Sequence, residues 1–100
     1  MNYSTNNVFA EISRSDDGVK TCLAIECAIR ELVKRGYLIT KVSVTPRGVA
    51  IYDQLCAQGF TPDREYARNC IRYRYGGDWR LLAKMVFKIW DERVAVSQGT

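Results

Sequence analysis

Histidine is missing from all 100 residues. That removes the commonest general base near neutral pH and the commonest side-chain metal ligand. Proline occurs twice and glycine seven times, too rarely for a collagen-like or low-complexity chain. No apolar run approaches the roughly 18 residues that a membrane span requires. No basic-then-apolar leader opens the chain, so the expectation is a cytoplasmic protein with no membrane partner. None of the cysteines, Cys22, Cys27, Cys56 and Cys70, stands in a C-x-x-C pair. Without histidine a zinc site would need every one of these thiolates, and Cys22 and Cys27 diverge by about 140° around a helix. They are expected to be small buried hydrophobes in a reducing compartment.

The signatures of common enzymes are absent too. There is no phosphate loop, dinucleotide fingerprint, nucleophile elbow or zinc-protease helix. Asp16-Asp17 and Asp91-Glu92 are adjacent carboxylates, and neighbours in sequence point apart rather than sharing a proton. The expectation is a protein that is not an enzyme and that carries no cofactor or metal.

What is present is an ordinary globular balance, 47% apolar and 26% charged. It suits a single domain over residues 1–100, with 1–7 and 97–100 as flexible ends. Val8–Ser13 alternates weakly, as a short strand would. Val19 to Arg35 has helical periodicity, with Val19, Leu23, Cys27, Ala28 and Leu32 as its buried face and Gly36 as its stop. Tyr37–Val44 is β-branched, alternating and free of glycine and proline, the pattern of a strand. Thr45-Pro46 caps and starts a second helix that ends at Gly59-Phe60. Thr61-Pro62 starts a third over about 62–74, and Asp78 caps a fourth that runs to about Val94. The fold expected is α+β and predominantly helical, with four helices around a small two-stranded sheet formed by 8–13 and 37–44.

Charge is distributed unevenly. The net +4 is concentrated in residues 64–88, where seven basic side chains face two acidic ones. Arg64, Arg68 and Arg72 recur at i, i+4, i+8, so they stack along one face of the third helix. Arg80, Lys84 and Lys88 repeat that spacing on the fourth. Like charges at i, i+4 repel, so two such rows oppose local stability and point towards a binding face. Arg74 adds to the excess, and Tyr73, Tyr75 and Trp79 lie between the rows. Arginine with interleaved aromatics suits phosphate contact and base stacking, or an acidic protein surface. The fourth helix is apolar on most sides, which leaves an expected exposed edge near Phe87 or Trp90 for a second copy of the chain or a docked protein.

Lys34-Arg35-Gly36-Tyr37-Leu38 and Thr45-Pro46-Arg47-Gly48 resemble part of a winged-helix DNA-binding regulator over residues 22–60. There a helix ending in a basic-Gly-aromatic run leads into a strand, and a Thr-Pro-x-Gly turn opens the next helix. The resemblance implies a first helix that reads the major groove with Lys20, Arg30 and Lys34. Six residues, Ile39–Val44, separate the two motifs here, fewer than a two-stranded wing needs. The Tyr75-Gly76-Gly77 break offers a second arrangement, a helix-turn-helix with Arg80 and Lys84 at the groove.

Two functions are expected from these features. In the first, residues 64–88 grip nucleic acid and the protein is a small regulator or accessory factor. In the second, the same surface docks on an acidic patch of a larger assembly, as a phage- or plasmid-type inhibitor of a nuclease, immunity complex or polymerase would.

Overall fold

The computed structural model describes residues 17–98, and within them the chain forms four α-helices: α1 (Asp17–Lys34), α2 (Pro46–Ala57), α3 (Arg64–Tyr75) and α4 (Trp79–Gln98). The helices end where local chemistry ends them. At the end of α1, Gly36 turns left-handed at φ 84°. Its N–H reaches the Val33 carbonyl at 3.1 Å, and the N–H of Tyr37 reaches Leu32 at 3.0 Å. That pair of bonds is a Schellman motif, which satisfies carbonyls that the helix leaves open. Gly59 and Phe60 close α2 in the same way on Cys56 and Leu55. Thr45 Oγ1 accepts the Gly48 N–H at 3.3 Å, and Pro46 takes the first helical position.

The start of α3 differs from the sequence expectation. Its N-cap is Asp63, whose carboxylate accepts the Tyr66 N–H at 3.0 Å. Thr61 and Pro62 stay outside the helix. A charged oxygen at the positive end of the helix is a stronger cap than a hydroxyl two residues upstream. The fourth helix runs on to Gln98 rather than stopping near Val94.

The expected α+β fold is not found: the described residues are all-α and contain no strand. Among the described residues, Tyr37–Val44 has no neighbouring strand, and the amides of 38–44 make no backbone hydrogen bonds. Its alternation serves packing instead. Leu38 leans on the core and Val44 is buried, while Ile39 is 101% exposed. Strand propensity measures fit to a pleated neighbour, and without that neighbour a β-branched run is a connector. The other expected strand, Val8–Ser13, and the expected flexible end 1–7 lie outside the described residues.

The core is organised around α1, which packs against each of the other three helices. Its buried positions are Thr21, Ala24, Ile25, Ala28, Ile29 and Leu32, at i, i+3, i+4, i+7, i+8 and i+11. This face is rotated from the one expected, and Val19 is half exposed. Three small residues on it, Thr21, Ala24 and Ala28, let neighbouring helices approach closely. Ile71 of α3 and Val86 of α4 fill the centre, and Tyr52 closes it on the α2 side. No described helix is long and apolar enough to cross a membrane.

Candidate nucleic-acid interface

The contact between α3 and α4 brings the two basic rows onto one groove. On α4, Trp79, Ala83 and Phe87 follow i, i+4, i+8, and Arg80 and Lys84 lie one residue further round. From α3, Arg64 and Arg68 reach across to Phe87, with guanidinium carbons 5.3 and 5.5 Å from the ring centroid. Arg72 reaches Trp79 at 5.7 Å, and Arg80 approaches the same indole from α4 at 4.7 Å. Between these rings runs a cleft of about 230 Å³ lined by Arg68, Trp79, Arg80, Ala83, Lys84 and Phe87. Its lining holds three cations and no carboxylate.

Ion pairing separates the basic side chains into two groups. Arg64 is paired with Asp91. Arg74 turns away to α1, where Nη1 and Nη2 both lie 3.3 Å from Glu26 Oε1. Lys88 lies outside the cleft lining, one turn before Glu92 along α4. Arg68, Arg72, Arg80 and Lys84 are exposed and have no carboxylate partner among the described residues. These four form the unneutralised centre of the face.

The aromatic residues divide in the same way. Trp79 and Phe87 are half-buried and floor the cleft. Tyr75 lies under Arg74, 5.5 Å from its guanidinium carbon, beyond the cleft lining. Tyr73 is 93% exposed and also lies outside the lining. Trp90 is not part of an exposed edge. It is 4% exposed, and its indole Nε1 donates to the Ala24 carbonyl at 3.2 Å. Phe87 is covered by two arginines, so the apolar side chains that α4 does expose are Leu81, Val94 and Val96. Sequence reasoning placed Phe87 at a protein contact and missed it as the floor of the basic cleft. The signal was its i+8 spacing from Trp79, one position ahead of Lys88 in the cationic row.

Two arginines elsewhere are matched. Arg35 bridges Glu31 and bidentately Glu92, and Arg93 pairs with Asp53. Asp91 and Glu92 thus serve different arginines on different sides of α4, as adjacent carboxylates should. The hydrogen bond from Arg35 holds the Glu92 carboxyl below its ordinary range. A second cavity of about 450 Å³ between α1, α2 and α4 contains both signs of charge and includes Arg30. Lys20 reaches over Phe60 at 5.8 Å. Lys20 and Arg30, two of the α1 cations implied by the winged-helix resemblance, therefore lie away from the cleft, and residues 37–44, where the resemblance requires a strand, have no strand partner among the described residues. All four cysteines are free and half-buried, and no described cluster of three or more Cys, Asp or Glu has metal-binding geometry. No protein-family model matches this chain, and no curated protein or solved structure gives a match.

Proposed function

We propose that this is a non-catalytic nucleic-acid-binding protein whose working surface is the α3–α4 cleft. The observation that carries this reading is the convergence of Arg68, Arg72, Arg80 and Lys84 on one cleft without an intervening carboxylate. Arg64 is offset by Asp91, but Arg68, Arg72, Arg80 and Lys84 have no carboxylate partner among the described residues, and a polyanion supplies one. Phosphates suit the site because each guanidinium offers a planar fork of donors to anionic oxygens. Released counterions then supply much of the binding free energy. The protein fits the role of a small regulator or accessory factor.

The test compares charge reversals inside and outside the cleft, using fluorescence anisotropy of a labelled DNA duplex. Arg68→Glu with Lys84→Glu should weaken binding by at least about tenfold. Lys34→Glu with Lys41→Glu alters net charge equally at exposed positions away from the cleft, and should weaken it by less than about threefold. Equal losses for both pairs would mean that net charge, not this cleft, governs binding.

A further inference from the structure

We infer that the cleft recognises the sugar-phosphate backbone and not the bases: Trp79 and Phe87 are seats that hold arginines, not platforms on which bases stack. This inference rests on the nucleic-acid reading above and specifies which part of the nucleic acid is read.

Arginines already occupy both rings of the cleft. A base-stacking site presents an aromatic face to solvent, so that a nucleobase can lie on it. Here the two rings of the cleft are each approached by two guanidinium groups. Phe87 carries Arg64 and Arg68, and Trp79 carries Arg72 and Arg80. A guanidinium resting on a ring keeps its N–H edges free while its long side chain loses freedom. The ring thus removes in advance part of the entropy that a flexible arginine would lose on binding, and the free edges point to anionic oxygens. The exposed aromatic residues among those described, Tyr37, Tyr66, Tyr73 and Tyr75, all lie outside the cleft lining.

The two seats are unequal. At Phe87, Arg64 is already held by Asp91, leaving Arg68 as the available cation. At Trp79, both Arg72 and Arg80 lack a carboxylate partner among the described residues, so this end makes the stronger phosphate site. Eight residues of α4 separate the rings, on the order of 12 Å along the helix. That is room for separate phosphates at the two ends and at Lys84 between the seats. Backbone contacts of this kind position a protein without carrying sequence information, so binding should be largely independent of sequence.

The experiment compares a labelled single strand of about 20 nucleotides with a strand of equal length made of abasic sugar-phosphate units, at ~50 mM salt. Backbone recognition predicts that the two strands bind within about threefold of each other, because stacking would be worth far more over several bases. A loss of tenfold or more with the abasic strand would overturn the inference and leave nucleic-acid binding standing. If neither strand nor the matching duplex binds, the underlying functional reading fails as well. The seat itself is tested by Trp79→Leu, which leaves every charge in place. It should weaken the normal and the abasic strand by the same factor, about three- to tenfold. A loss confined to the base-bearing strand would show stacking. Arg80→Gln is exposed and removes the cation without touching the core, so its matched loss on both strands supports the same conclusion should Trp79→Leu fail to fold.

Discussion

The indole of Trp90 donates its N–H to the backbone carbonyl of Ala24, 3.2 Å away in the centre of the protein. Sixty-six residues separate the two in sequence, so this bond fixes the C-terminal half of α4 to the middle of α1. Ala24 has no accessible surface, and its small side chain lets the indole approach the helix backbone. Trp90→Phe keeps an aromatic ring but deletes the donor and leaves a void. It should cost about 1–2 kcal/mol in chemical denaturation, while the folded variant binds nucleic acid as the parent does. A large loss of binding with no loss of stability would place Trp90 at an interface instead.

Thr21 offers the opposite opportunity. It is buried on the central face of α1, and its hydroxyl oxygen makes no hydrogen bond. Valine has nearly the same shape without the unsatisfied polar atom. Thr21→Val should raise stability by about 1 kcal/mol. Destabilisation on substitution would show that the hydroxyl has a partner.

Stability should fall on the alkaline side. Burial pushes the Cys27 thiol up from 9.0 to about 12, and burial raises the Tyr52 phenol in the same direction. The folded state therefore favours the protonated, neutral thiol. Below pH 9 its contribution is fully present; between 9 and about 12 the unfolded chain ionises first and the contribution is lost. Denaturant midpoints measured across that window should decline, and less steeply in Cys27→Ala. For the same reason, Cys27 should be slow to alkylate at pH 8 in the native protein.

The connector between α1 and α2 makes a further prediction about the fold. Ile39 is fully exposed and its segment has no strand partner among the described residues. Ile39→Lys should change stability by less than about 0.5 kcal/mol. A substantially larger loss would indicate that residues 37–44 are paired and packed after all.

Much of this architecture is legible in the sequence where the physics is local. Gly36 and Gly59 announce their Schellman motifs, and Thr45-Pro46 announces a helix start, because caps depend on a few neighbouring residues. The spacing of Arg64, Arg68 and Arg72 likewise establishes that they share a helical face. What escapes is whatever depends on a distant partner. Tyr37–Val44 has the local properties of a strand, but no strand among the described residues pairs with it. Thr21, Ala24 and Ala28 hide the buried face of α1, since small residues carry little hydrophobic signal but are needed where helices approach closely. The pairing of Arg64 with Asp91 and of Arg74 with Glu26 spans 27 and 48 residues. Only the packed helices reveal that these two arginines are neutralised while Arg68, Arg72, Arg80 and Lys84 are not. The position of Phe87 beneath two arginines of another helix is set by that packing as well.

The most direct test of the account is the salt dependence of binding to a DNA duplex. Each phosphate neutralised by a cation contributes a slope of about −0.9 to a plot of log affinity against log salt. One phosphate contact for each of the three lining cations and for Arg72 beside Trp79 predicts a total near −3.6, and Arg72→Gln with Arg80→Gln should reduce it by about 1.8. A slope near zero, or one unchanged by that double substitution, would contradict the assignment of the α3–α4 cleft as a phosphate-binding surface.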